Sequence, residues 1–297
     1  MPRAFRYSTL PTEQRHPRSR DLDRLPLPAL LGLMHREDAR AVRAVGGALP
    51  QIARAVRLIA SSLRRGGRLV FVGAGTSGRL GVLEAAECPP TFSTPPSMVQ
   101  ALIAGGRGAV FRSREGAEDR RTDARREVAR RLRRGDVAVG IAASGVTPFV
   151  AAALRAARRL GARTVLITGH PRAPIRAHAR IRLAVGPELL TGSTRLKTGT
   201  ATKLVLNMLT LGAMVQLGKT YGDLMVDVRP TSRKLRARAR RIIREVARVS
   251  EPAAAAALRQ AGGRVPVAIL VAAKGLSVPA ARRRLARARG SLRQALT

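Results

Sequence analysis

Aromatic side chains are almost missing from this sequence: 2% of its 297 residues, with no tryptophan, two tyrosines and five phenylalanines. A core must therefore be built from Ala, Val, Leu and Ile. The base-stacking platforms that single-strand and RNA readers need are nearly absent as well. One cysteine, Cys88, excludes an intramolecular disulfide framework and an all-cysteine metal site. His16, His35, His170 and His178 lie far apart with no metal-ligand spacing. The opening residues carry no apolar signal core. The longest apolar stretch, 204–217, is broken by Asn207, Thr210 and Gln216, short of the about 18 clean residues of a membrane span. The expectation is a soluble, cytoplasmic protein with no metal, cofactor or membrane partner.

Acids are scarce too: 18 Asp and Glu against 56 Lys and Arg, a formal charge of +38. Such a surplus attracts phosphorylated or carboxylated molecules, and nucleic acid nonspecifically at low salt. Arginine is nevertheless spread along the whole chain, often on polar helix faces such as 120–134, and no zinc-finger or RRM signature accompanies it. No specific nucleic-acid partner is expected. Apolar residues make up 45%, enough for a packed core.

Along the chain, residues 27–65 read as helices, with Ile52, Val56, Ile59 and Leu63 on one face and Gly66-Gly67 as the stop. Short apolar runs then alternate with helical stretches. Strands are expected at 68–75, 97–105, 136–144, 162–169 and, more weakly, 181–186; helices at 77–86, 118–134 and 148–159. Continuous Val- and Ile-rich strands separated by helices imply a doubly wound, parallel, five-stranded α/β sheet covered on both faces, with right-handed crossovers. Helices follow at 200–218, 232–248, 252–261, 266–274 and 278–289. The expected organisation is an N-terminal segment with helices (1–48), a central sheet domain (49–232) and a small helical C-terminal region (233–297).

In an open parallel sheet, ligands sit at the carboxyl ends of the strands. The first strand leaves through Gly73, Ala74, Gly75, Thr76, Ser77 and Gly78, where small residues and hydroxyls open a helix and an anion is favoured. This is not a P-loop, because no G-K-[ST] follows. The glycine spacing imitates a dinucleotide fingerprint, but no acidic residue closes the next strand. The third strand leaves through Ser144, Gly145, Thr147 and Pro148. A third hydroxyl-rich segment, 191–200, holds Ser193, Thr194, Arg195 and Lys197 before the long helix. Each alone reads equally as helix capping. Together they point to a phosphorylated small molecule held without metal or nucleotide.

Among so few acids, Glu87 in EAAECPP and Glu118 in EGAED lie near that edge. A carboxyl beside apolar surface serves as an acid, and an ionised partner as a base. Plain alternatives remain: Glu118 as a first-turn acid favoured by the helix dipole, Glu87 as a surface residue. Cys88 reads as a small buried thiol.

The long motifs GGRLVFVGAGTSGRLGVLEAAECPPTF, ALIAGG, EGAED, DVAVGIAASG, VGPELLTGSTRLKTGTATKLVLNML and GKTYGDLMVDV resemble the N-acetylmuramic acid 6-phosphate etherases, of the sugar isomerase (SIS) fold. The likeness is dense over 10–245 and looser to the end. The SIS halves of glucokinase-regulator proteins, which bind sugar phosphates without catalysis, are similar too and supply the alternative of a non-catalytic regulator. The resemblance implies an SIS-like three-layer sandwich and a carbon-oxygen lyase of cell-wall amino-sugar recycling. It would cleave the D-lactyl ether by elimination and hydration, leaving N-acetylglucosamine 6-phosphate and D-lactate. It further implies Glu87 as acid, Glu118 as base, and Gly75, Thr76, Ser77, Ser144, Gly145, Thr147, Ser193 and Lys197 around the substrate. A homodimer is implied as well, with Glu37 and Asp38 completing the partner's site. The chain departs from the family pattern at Val146, where ASGRTP has arginine, at TGHPRAP after the fourth strand, at Thr198 and Thr202, and at His16.

Overall fold

A computed structural model describes residues 7–297, which fall into two compact units. The first takes the chain up to Ala86 together with Met98–Thr210; the second takes Glu87–Ser97 and Leu211–Thr297. The sheet lies in the first and a helical cluster in the second.

The first unit opens with α1 (Leu27–Gly47) and α2 (Leu49–Arg64). There follow β1 (Leu69–Gly73), α3 (Gly75–Phe92), β2 (Val99–Ile103), the single turn α4 (Gly108–Phe111), α5 (Arg121–Arg131), β3 (Val137–Ile141), α6 (Pro148–Arg159), β4 (Arg163–Thr168), β5 (Ala179–Arg182) and α7 (Lys197–Gln216), with α3 beyond Ala86 and α7 beyond Thr210 belonging to the second unit. The five strands are all parallel, in the order β2-β1-β3-β4-β5. Every residue of β1 and β3 is buried, as expected of strands covered on both faces. The amphipathic helix α6 shows how the cover is built. Phe149, Val150, Ala153, Leu154 and Ala157 are buried, while Arg155, Arg158 and Arg159 face out. Gly140, inside β3, makes room for it: a Cβ there would stand 2.7 Å from Val150 and 2.8 Å from Leu154. Truncating Leu154 to alanine in this dry layer would cost about 2–5 kcal/mol.

At the amino-terminal end of the sheet, fully buried Asp136 ties β1 to β3. One carboxylate oxygen accepts the Arg68 N–H (2.9 Å); the other accepts the Arg68 guanidinium (2.9 and 3.1 Å) and the Arg133 N–H (2.9 Å). The register that follows pairs Leu69 with Val137 and Gly73 with Ile141.

The second unit contains α8 (Arg233–Ala247), α9 (Glu251–Gln260), α10 (Val265–Lys274), α11 (Val278–Arg287) and α12 (Leu292–Leu296). The first six residues of α10, Val265 to Leu270, are all buried, and the other helices pack around them. Ser232, Ser250, Ser277 and Ser291 cap α8, α9, α11 and α12, each accepting a backbone N–H three residues on. Among the described residues no single helix is long and apolar enough to cross a membrane; α10 and α11 pass such a test only jointly, across a 111° bend.

The five-stranded parallel sheet agrees with the sequence reading, with shifts at its edges. The helix expected to end at 86 runs to Phe92, through Pro89 and Pro90. These prolines remove only the donors that would reach the carbonyls of Ala85 and Ala86. The last strand covers 179–182 instead of 181–186, because its partner β4 ends at Thr168. Glu118 sits in a 3₁₀ turn, Ala117–Asp119, ahead of α5.

Candidate active site

The connection from β1 goes to β2 on one side, and the chain then crosses back to β3 on the other. The crevice beyond the carboxyl ends of β1 and β3 is therefore the sheet's topological switch point, the usual ligand position in open α/β folds. Because Gly73 pairs with Ile141, the turn leading into Thr76–Ser77 at the start of α3 and the loop with Ser144–Thr147 start level with one another on either side of it.

The backbone of the first loop is tight. A Cβ on Gly73 would stand 2.6 Å from the Gly78 nitrogen, and one on Gly78 would stand 2.5 Å from Ile103. The glycine pattern thus serves a sharp strand-to-helix turn, packed on β2, that opens α3 with unpaired N–H groups. The hydroxyls of Thr76 and Ser77 have no protein hydrogen bond among the described residues. Thr147 stands at the N-cap of α6 yet its side chain makes no capping bond. The contrast with the four capping serines of the second unit disfavours the plain capping reading at Thr147. On the second loop, Gly145 takes φ +73°, and Ser144 Oγ accepts the Val146 N–H at 3.4 Å.

The third segment meets the first. A Cβ on Gly199 would lie 3.9 Å from Thr76 Cγ2, so the start of α7 stands beside the β1 loop. Glu188, which the sequence reading passed over, fixes that start. Its carboxylate accepts the N–H groups of Lys197 (3.2 Å) and Thr198 (2.9 Å) and the Thr198 hydroxyl (2.6 Å). It lies nine residues before Lys197, too far for a local helix-start signal to reveal it. Ser193 is half-buried just outside, in a turn closed by its N–H on the Leu190 carbonyl (2.9 Å).

Lys197 points its ammonium at Glu37 of α1, 2.6 Å away, both side chains 2% exposed. Arg18 (2.7 Å) and Arg40 (3.4 Å) add to the same carboxylate, and His16 lies 3.3 Å from it. Burial would push the Glu37 carboxyl up; the hydrogen bonds from Lys197 and Arg18 outweigh it and hold the group at about 2. His16 is pushed below its ordinary value, first by burial, with Lys197 and Arg18 acting the same way against Glu37.

Glu118 is half-buried on the 3₁₀ turn. Ala117 before it is buried with Val72, Ala104 and Phe149, and a Cβ on Gly105 would come within 3.3 Å of it. This seats Glu118 next to the exits of β1 and β2. Glu87 is exposed on α3 and is the first residue of the second unit. Neither carboxylate has an ion-pair or hydrogen-bond partner among the described residues.

Residues 51–158 match the glucokinase regulatory protein N-terminal SIS domain family, and residues 119–212 the SIS domain family. Curated relatives extend the likeness to nearly the whole chain. An N-acetylmuramic acid 6-phosphate etherase of Gloeobacter violaceus is 56% identical, covering 88% of this chain and 87% of its own. One of Symbiobacterium thermophilum is 51% identical (90% and 90%), and one of Salmonella choleraesuis 49% (97% and 98%). The chain belongs to the N-acetylmuramic acid 6-phosphate etherase family. Among solved structures, a phosphoheptose isomerase of Neisseria gonorrhoeae is similar over 64% of this chain and 98% of its own, at 19% identity and TM-score 0.49.

For an etherase-family chain, the crevice assembles the β1 loop, the β3 loop, the start of α7 and the turn bearing Glu118 at one sheet edge. No group of three or more His, Cys, Asp or Glu suited to a metal ion occurs among the described residues. Val146, at the family's arginine position, is half-buried and lines a cavity with Arg155, Arg158 and Arg176.

Proposed function

We propose that this chain is an N-acetylmuramic acid 6-phosphate etherase, splitting its substrate into N-acetylglucosamine 6-phosphate and D-lactate. The observation that carries the reading is identity of about half to proteins of that name over nearly the full length of both chains. The switch-point crevice supports it. The free N–H groups of α3 and the hydroxyls of Thr76, Ser77, Ser144 and Thr147 suit a phosphoryl group. The Glu37–Lys197 pair enters as the anchor that keeps the start of α7 beside Thr76.

In this reading Glu118 removes the C2 proton of the open-chain sugar, which the C1 aldehyde makes acidic. Electrons from the C2–H bond form the C2=C3 bond as the C3–O bond breaks, and Glu87 protonates the departing lactate oxygen. Water then adds across the double bond, hydroxyl to C3 and proton to C2. A positioned base must be free to accept a proton, and Glu118 forms no ion pair among the described residues of a chain with 56 basic residues.

The reading extends to a cytoplasmic, peptidoglycan-recycling homodimer. Leu27 and Leu31 of α1 are 64% and 54% exposed, apolar surface that a second copy would cover. Incubation with N-acetylmuramic acid 6-phosphate should release D-lactate; a folded protein that releases none refutes the proposal. Glu118→Gln should lower turnover by about 10²–10⁴ and abolish solvent-deuterium exchange at C2. Retained exchange would acquit Glu118.

A further inference from the structure

The opposite end of the sheet holds a second concavity, about 670 Å³, in the size range of ligand pockets. Its lining brings Arg65 from the end of α2, Arg134 from the loop after α5, Arg158 and Arg159 from the last turn of α6, Arg163 from the start of β4, and His178. No carboxylate lines it. Asp136, next in the chain to the lining residue Gly135, is fully buried and already taken by Arg68 and the Arg133 N–H. Among the described residues none of these five arginines forms an ion pair with a carboxylate. The loops that form the floor are joined, Gly135 N–H donating to the Gly161 carbonyl at 3.4 Å. Gly161 leaves space for Arg134: a Cβ there would stand 3.1 Å from the Arg134 side chain.

Helix dipoles account for only part of this clustering. Three helix C-termini, those of α2, α5 and α6, contribute about −0.5 each. Five guanidinium groups exceed that sum by about three and a half charges. The surplus converges on one concavity from four segments, and guanidinium forks match phosphoryl oxygens. No Phe, Tyr or Trp lines it, so His178 is the only ring in the lining that a nucleobase could stack on, which favours a small phosphate anion over a nucleic-acid strand.

We infer that the amino-terminal end of the sheet binds a short polyphosphate group, in a concavity lined by none of the β1-loop, α7 or Glu118 residues of the etherase crevice. His178 is a built-in reporter. Its Nδ1 accepts the Thr164 N–H at 3.0 Å, which leaves the neutral ring's proton on Nε2. Burial, then Arg163 and Arg158, hold its pKa below the ordinary value.

The test is calorimetric titration of the full-length protein with tripolyphosphate in about 0.15 M salt, where diffuse attraction is screened. Binding should weaken about tenfold or more in Arg158→Ala/Arg163→Ala. It should stay within about twofold in Arg282→Ala/Arg283→Ala, which removes the same charge from α11. Equal weakening in both overturns the site, as does a short DNA duplex that competes as well as tripolyphosphate. A reading without variants comes from NMR of the wild-type protein: tripolyphosphate should move the His178 ring resonances and raise its pKa, and unmoved resonances overturn the assignment.

Discussion

Removing the Lys197 ammonium isolates the energetics of the buried pair it forms with Glu37. Glu37 titrates at about 2 against an ordinary 4.5, so its ionised form contributes on the order of 3 kcal/mol at neutral pH. The carboxyl is depressed in the folded chain. Its contribution is therefore complete above pH 4.5 and is lost as pH falls from 4.5 toward 2. Lys197→Met leaves a buried carboxylate held by Arg18 and Arg40, both about half exposed, and by the neighbouring His16. The expected cost is about 3–5 kcal/mol. At roughly 2–4 °C per kcal/mol, that is a fall in Tm of about 6–20 °C. Glu37→Leu/Lys197→Met removes both charges and should recover a large part of the loss, with a coupling above about 1 kcal/mol. Denaturant unfolding of the wild type, both single variants and the double variant at pH 7, repeated between pH 5 and 3, measures this directly. Additive single costs within about 0.5 kcal/mol, or identical acid profiles for wild type and Lys197→Met, would refute the reasoning.

Three further outcomes are expected. Ser77→Ala with Thr147→Val removes hydroxyls that have no protein partner among the described residues, so stability should hold within about 0.5 kcal/mol while KM for the sugar phosphate rises about tenfold or more; steady-state kinetics beside a melting curve separates the two. Gly145→Ala adds a Cβ 2.6 Å from Ala173 and 2.9 Å from His170 at φ +73°, and should cost about 1–3 kcal/mol and disturb the second loop, seen as a lower denaturation midpoint with reduced kcat/KM. Burial lowers the pKa of His16, His170 and His178, so the unfolded chain binds more protons below pH 6.5 and stability should decline as pH drops from that value; a flat profile from pH 8 to 5 would contradict it.

The sheet was readable because each buried strand is a run of Val, Ile, Leu and Ala with turn residues on both sides, and Pro148 with the apolar spacing 149–157 marked α6 to the residue. The hydroxyl loops were readable for the same reason, since strand exits locate them without any tertiary information. Pairings distant in sequence were not. Nothing in the local pattern joins Lys197 to Glu37, 160 residues away, or gives Glu188 its hold on α7. Helix continuation through Pro89-Pro90 ran against a strong local breaker that the surrounding fold overrides. Nor does the local pattern show that 87–97 and 211–232 share a unit with the helices that follow Ser232.

Asp136 stands immediately before β3, and the loop with Ser144 and Thr147 follows its other end, one strand length of about 16 Å away. A slip of one residue between β1 and β3 would turn every side chain on the slipped strand to the wrong face and draw the two loops about 3.3 Å out of step. A lesion at this aspartate would then silence the chemistry without touching a single group that meets the sugar, so loss of activity there would report alignment at a distance.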